Sequence, residues 1–112
     1  MRACHLKPVA FLGDSFARLR EFPAGARRKA GYQLYRIQCG LEPDDWKPIR
    51  AIGQGVCEIR VGHAEGAFGV IYFATLADAV YVLHAFQKKT RATSKRDSNL
   101  AAERMREVVR RR

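Results

Sequence analysis

One stretch of this sequence decides its fold: CEIRVGHAEGAFGVIYFATLADAVYVLHAF, residues 57–86. Apolar and polar residues alternate over 57–61, which is typical of a strand with one buried and one polar face. Two almost wholly apolar runs follow, 67–74 and 79–86, and glycine or polar turns separate the three. This order predicts a β-meander in which 67–74 is the central strand. If the loop at 62–66 closes symmetrically, Arg60 pairs with Gly69.

Helical patterns flank the meander. Upstream, 7–12 predicts a first strand, Asp14 is a candidate N-cap, and 46–52 predicts a weak edge strand interrupted by Pro48. Downstream, Ser94 and Asp97 resemble a capping box. Helical spacing predicts three buried stripes: Phe16, Leu19 and Phe22; Ala26, Ala30, Leu34 and Ile37; and Leu100, Ala101, Met105 and Val108. The sequence therefore predicts one α+β domain over 1–112, with a mostly antiparallel sheet.

Composition narrows the class of protein. The chain has 112 residues, of which 47% are hydrophobic, so a packed core is expected. Its three cysteines, Cys4, Cys39 and Cys57, form no CxxC pair, which disfavours a disulfide framework and a zinc site. No apolar run is long enough to span a bilayer, and the first residues lack a signal-peptide pattern. We expect a cytoplasmic protein that binds no membrane, metal or cofactor.

Positive charge is concentrated at the C-terminal end. Residues 87–112 contain ten lysine or arginine residues and three acidic ones, so they carry +7 of the net charge of +10. Two interpretations remain open: a solvated basic helix, or a surface for a polyanion such as nucleic acid. The second is favoured, because an apolar strand leads directly into a cationic cluster: Lys88, Lys89, Arg91, Lys95 and Arg96.

The sequence contains no HExxH, GxSxG or glycine-rich phosphate loop. The chemistry that remains is phosphate binding by Arg60, Lys88 and Lys89, which we expect to converge on one linkage. RNA carries its own nucleophile, the 2′-hydroxyl, so such a site needs neither a metal nor a covalent intermediate. His84 is a candidate RNA contact, although a histidine in an apolar strand is more often structural.

Several segments resemble the phage-associated HigB-like branch of the RelE/ParE toxin superfamily. They are KPVAFLGDS (7–15), AGYQLYRIQCGLEPDDWKP (30–48), EIRV (58–61), AFGVIYFA (67–74), YVLHAFQKKT (81–90) and TSKRD (93–97). The resemblance implies a toxin of a type II toxin–antitoxin pair that cuts mRNA, commonly on the ribosome. It implies a helix-turn-helix antitoxin as partner, and homo-oligomers that form only through the antitoxin complex.

The resemblance also assigns residues. Arg60 falls at a basic RNA-contacting position, Lys88 and Lys89 at the cations after the last strand, and Tyr72 at an aromatic position where packing is an equal alternative. Gly69 departs from the pattern, because it stands where the family usually has arginine. This departure implies an attenuated nuclease. The alternatives are a ParE-like toxin that acts on DNA gyrase without cutting RNA, and an inactive toxin that still binds antitoxin.

Overall fold

The computed structural model describes residues 6–90 and 92–111 and contains five strands and three helices there. In chain order the elements are β1 (Val9–Phe11), α1 (Ser15–Arg20), α2 (Ala24–Gln38), β2 (Trp46–Pro48), β3 (Val56–His63), β4 (Gly66–Phe73), β5 (Val80–Lys88) and α3 (Lys95–Arg110). This α+β order is the predicted one. The first two predicted strands are shorter than expected, and the last extends to Lys88.

The strands form one sheet in the order β1-β5-β4-β3-β2. β1 runs parallel to β5, and the other three pairs are antiparallel. The β3–β4 hairpin has the predicted register, with Arg60 opposite Gly69. β4 is the central strand, as its apolar sequence predicted, and β2 is an edge strand.

The two faces of the sheet are covered by different helices. The predicted stripe of α2 is buried and packs with Ile59, Val61 and Val70. On the other face, Ala101 and Val108 of α3 pack with Ile71 and Leu83, while Leu100 and Met105 are half-buried. Serine at the start of α3 caps that helix as predicted, because Ser94 Oγ accepts a hydrogen bond from the backbone N–H of Asp97 at 3.1 Å.

Three local predictions were wrong. Glu58 was assigned to a polar face, yet its side chain is completely buried, because α3 and the segment before it cover that face. Phe16 was assigned to the buried stripe of α1, yet it is 50% exposed and packs on Phe11 near the sheet edge. Asp14 occupies the N-cap position but makes no capping hydrogen bond; its carboxylate instead binds Arg18 and Arg104.

Within the described residues, no helix is both long and apolar enough to cross a bilayer.

Candidate nucleic-acid interface

A cleft of about 540 Å³ lies where β5 ends and α3 begins. It exists because the apolar pattern of β5 ends at Phe86 and the strand itself ends at Lys88, after which the chain leaves the sheet and returns as the capped helix α3. The cleft brings together the predicted cations Lys88, Lys89 and Arg96 with His84. Arg18 of α1 also lines the cleft, a contribution that the sequence patterns did not indicate.

Lys89 and Arg96 are the cations of this cleft that are available to a ligand. Both side chains are exposed, and among residues 6–90 and 92–111 no carboxylate lies within 4.0 Å of either. Lys95 is also exposed at the first position of α3, but it does not line the cleft. Arg91 lies outside the described residues. An exposed, uncompensated pair of cations beside a concave surface suits a phosphate group.

Lys88, unlike the exposed Lys89 that follows it, is buried and paired. Its side chain is 4% exposed, and its ammonium forms an ion pair with the buried carboxylate of Glu58. The other oxygen of Glu58 accepts a hydrogen bond from the hydroxyl of Thr93, in the segment that leads into α3. An internal carboxylate therefore occupies the position at which Lys88 was predicted to hold a substrate phosphate.

Gly69 lies beneath this ion pair. A Cβ placed on Gly69 would lie 2.7 Å from Cζ of Phe86 and 3.2 Å from an oxygen of Glu58. Real Cβ atoms do not approach neighbours at the first of these distances, so the phenyl ring fills the space that a side chain would need. The absence of a side chain at Gly69 thus allows the Phe86 ring to pack there, and an arginine would require Phe86 to move.

His84 forms part of a buried polar chain rather than an open site. Its Nε2 lies 2.7 Å from Asp97 Oδ1, and its Nδ1 lies 3.3 Å from Nη1 of Arg104. Because a guanidinium can only donate, Nδ1 accepts and the Nε2–H donates to Asp97. Burial is the largest influence on His84 and lowers its pKa, although Asp97 opposes the shift. With both ring nitrogens engaged, His84 is a structural histidine in this conformation.

The predicted residues do not all converge on one place. The Arg60 guanidinium lies 2.7 Å from an Asp45 oxygen and lines a separate depression beside α2. Tyr72 packs in the core on the α2 side of the sheet, where burial raises the pKa of its phenol. The expected convergence of Arg60 with Lys88 and Lys89 is therefore absent from this arrangement of the described residues.

The sequence patterns did not indicate the residues that pair with the polar groups beside the cleft, namely Glu58, Thr93, Arg104 and Asp14. One signal for Glu58 was present. The hairpin register that places Arg60 opposite Gly69 also places Glu58 opposite Ile71, an apolar neighbour for a carboxylate. Arg104 gave no such signal, because its partner Asp14 is 90 residues away in the chain.

Taken together, the cleft can bind a phosphodiester through exposed cations, and the histidine beside it has no free nitrogen to act as a base. Within the described segments, no group of three or more histidine, cysteine or acidic residues could hold a metal ion. The fold and cleft define a small basic α+β protein with a cationic cleft at the end of a strand.

A family model described as "Phage derived protein Gp49-like (DUF891)" matches residues 17–106. The match covers most of the chain, so this protein belongs to the Gp49-like family, a RelE-like family associated with the toxins of toxin–antitoxin systems. The sequence matches no curated protein.

Proposed function

We propose that this protein is the toxin of a type II toxin–antitoxin pair, close to the HigB-like branch, and that it cuts mRNA at the ribosome in the cytoplasm. The observation that carries the proposal is the cleft between β5 and α3, where Lys89 and Arg96 are exposed without a carboxylate partner in the described chain. Family membership supports a toxin, and the cleft supports a phosphate-bearing substrate.

The chemistry that suits this cleft is transesterification within the RNA. The 2′-hydroxyl passes its proton to water as its oxygen attacks the adjacent phosphorus. The bond to the 5′-oxygen breaks, and that oxygen takes up a proton from water. The products are a 2′,3′-cyclic phosphate and a 5′-hydroxyl. Lys89 and Arg96 would bind the phosphate and stabilise the extra negative charge of the pentacoordinate transition state. No step in this scheme requires a metal ion or a cofactor.

The same geometry predicts a slow nuclease. Gly69 provides no guanidinium, Lys88 is neutralised by Glu58, and His84 has no free ring nitrogen. Loss of one donor to a developing oxyanion typically lowers the rate by about 10²–10³. An attenuated enzyme therefore fits the cleft better than a fully active one.

The decisive experiment is to add the purified protein to a translating extract and map new mRNA ends. We expect weak cleavage that leaves a 2′,3′-cyclic phosphate and a 5′-hydroxyl. The Lys89→Ala, Arg96→Ala double variant should lose the cleavage, whereas Arg106→Ala, which removes an exposed cation of α3, should keep it. Cleavage that survives in the double variant would contradict the assignment of the cleft.

Placing arginine at position 69 is a second test, and its design must allow for the packing around Gly69. Gly69→Arg alone meets the Phe86 ring, so it must be combined with Phe86→Ala and compared with Phe86→Ala alone. We expect the double variant to cleave faster than either single variant. If none of these variants cleaves RNA, the enzymatic interpretation fails.

A gyrase-directed, ParE-like toxin is the second candidate function. The observation in its favour is that the Phe86 ring fills the space beside Gly69, because a toxin that does not cut RNA has no need of an arginine there. DNA breakage, or capture of gyrase, with RNA left intact would select this alternative. Tight antitoxin binding without toxicity in either assay would instead indicate an inactive toxin.

The proposed partner is a small helix-turn-helix antitoxin, through which any homo-oligomer would form. The net charge of +10 favours an acidic antitoxin segment, which electrostatic attraction would bring to the toxin quickly. Added salt should therefore slow association. An association rate that does not change with salt would count against this electrostatic contact.

A further inference from the structure

The solvent-facing side of α2 is cationic and contains no acidic residue. α1 and α2 together hold six arginine or lysine residues and no aspartate or glutamate. Arg28, Tyr32 and Tyr35 follow one another at spacings of four and three, so they form a single line along the helix, opposite its buried stripe. We call these three residues the α2 ridge. Tyr32 is 54% exposed and Tyr35 is 48% exposed.

Two cations beside the ridge, Arg27 and Lys29, are held in place without being neutralised. Lys29 donates to the carbonyl oxygen of Gly62 at 2.9 Å, and Arg27 donates to the carbonyl oxygen of Arg20 at 3.1 Å. In the part of the chain that the structure describes, no carboxylate lies within 4.0 Å of Arg27, Arg28 or Lys29. A carbonyl orients a cation but leaves its net charge, so this face attracts anions.

The arrangement of aromatic and cationic groups indicates what kind of anion fits. Arg28 lies one helical turn before Tyr32, and Arg36 lies one turn after it, so an exposed ring is flanked by cations about 5–6 Å away along the axis. Single-stranded nucleic acid alternates phosphates with flat bases, and proteins bind it with cations and stacking rings. Beside the ridge, a depression of about 610 Å³ is lined by the cations Lys29 and Arg60 and by the carboxylates Asp44 and Asp45. Asp44 pairs with Arg36 at 3.7 Å and Asp45 with Arg60 at 2.7 Å, so Arg28 and Lys29 are the cations left for a phosphate.

This surface is distinct from the cleft. α2 packs on the sheet face opposite α3, so the ridge and the cleft lie on different sides of the sheet. We propose that the α2 ridge is a second binding surface for single-stranded RNA, with phosphates on Arg28 and Lys29 and a base stacked on Tyr32. Arg60 lies at its margin, where an RNA phosphate would compete with Asp45 for the guanidinium. The inference goes beyond the proposed nuclease, since binding at the ridge does not depend on cleavage in the cleft.

The test measures binding in the Lys89→Ala, Arg96→Ala background, so that the cleft contributes little. The probe is a fluorescein-labelled single-stranded RNA of about eight nucleotides, followed by anisotropy at about 50 mM salt. Arg28→Glu should weaken binding about tenfold more than Arg106→Glu, an equal charge change at an exposed position of α3. Urea unfolding of each variant checks that the fold is kept.

Tyr32 distinguishes RNA from an acidic protein. Tyr32→Ala should weaken RNA binding about tenfold, because a stacked base is lost, and Tyr32→Phe should leave it unchanged. Polyglutamate, as a probe without bases, should bind Tyr32→Ala and the parent alike. Equal effects of Arg28→Glu and Arg106→Glu would overturn the proposal, because binding would then follow net charge alone. It would also be overturned if polyglutamate bound more tightly than RNA and Tyr32→Ala bound RNA normally, in which case the ridge would fit an acidic protein segment.

Discussion

The two faces of the sheet are built by different physical means. The α2 face is an apolar interior in which aliphatic residues of the helix pack on Ile59 and Val70. The α3 face combines an apolar cluster with the buried side chains of Glu58, Lys88 and His84. Apolar packing is not directional, whereas ion pairs and hydrogen bonds fix distances and angles. Polar contacts of defined geometry therefore hold the α3 face, and the shape of the cleft depends on them.

The largest expected effect concerns the buried ion pair. Lys88→Ala leaves Glu58 buried without its counter-charge, which should lower the free energy of unfolding by about 3–5 kcal/mol. Lys89→Ala, one residue further along and exposed, should change it by less than about 0.5 kcal/mol. Urea unfolding of both variants measures the difference. Equal effects would mean that Lys88 and Glu58 do not form this pair, and the comparison of the two faces would break.

The next effect concerns the space above Gly69. Gly69→Ala places a methyl group against the Phe86 ring and should destabilise the protein by about 1–3 kcal/mol. Gly62→Ala is the matched control, because a Cβ there meets nothing within 4 Å. Adding Phe86→Leu should recover part of the loss at position 69. A neutral Gly69→Ala variant would show that the α3 face is loosely packed.

A pH titration sharpens the comparison, because His84 is a buried histidine of the α3 face. Burial holds its pKa below the ordinary 6.5, against the pull of Asp97, while Arg104 and Asp14 are its other charged neighbours. The unfolded chain therefore takes up the proton first, and stability falls as the pH drops below about 6.5. The slope should reach at most about 1.4 kcal/mol per pH unit.

Urea midpoints between pH 8 and pH 5 measure this slope. The variant His84→Asn should show a flatter dependence, whatever its absolute stability. If the variant and the parent have the same slope, His84 is not the group that couples folding to pH.

The smallest expected effect concerns the start of α3. Ser94→Ala removes the hydroxyl that accepts from the Asp97 N–H and donates to its carboxylate at 2.7 Å, so about 1 kcal/mol should be lost. Ser98→Ala, a serine inside the same helix, should be neutral or slightly stabilising. Thermal unfolding can resolve the two. If Ser98→Ala lost more stability than Ser94→Ala, the Ser94 side chain would not be a stabilising cap of α3.

Much of the fold could be predicted because its causes are local. The stripe of α2 follows from helical periodicity, and the register of the β3–β4 hairpin follows from its short loop. The cap of α3 was predicted from two residues three positions apart. Of the candidate site, the cleft cations Lys88, Lys89 and Arg96 were predicted as a group, because they follow one another closely in the chain.

The remaining features could not be predicted because they join distant parts of the chain. A polar residue at position 58 looks solvent-facing until α3 folds back over it. Its partners come from two other segments: Thr93 lies just before α3, and Lys88 lies at the end of β5. Arg60 looked like a partner of Lys88, since Lys88 ends a strand that neighbours the β3–β4 hairpin, but Asp45 holds Arg60 near the sheet edge.

Local sequence sets the elements, their order and the placement of positive charge, because periodicity, turns and composition act over a few residues. Which of those charges remain available depends on how the elements pack together. Whether a lysine meets solvent or a buried carboxylate depends on which segment covers it, and here that separates Lys88 from Lys89.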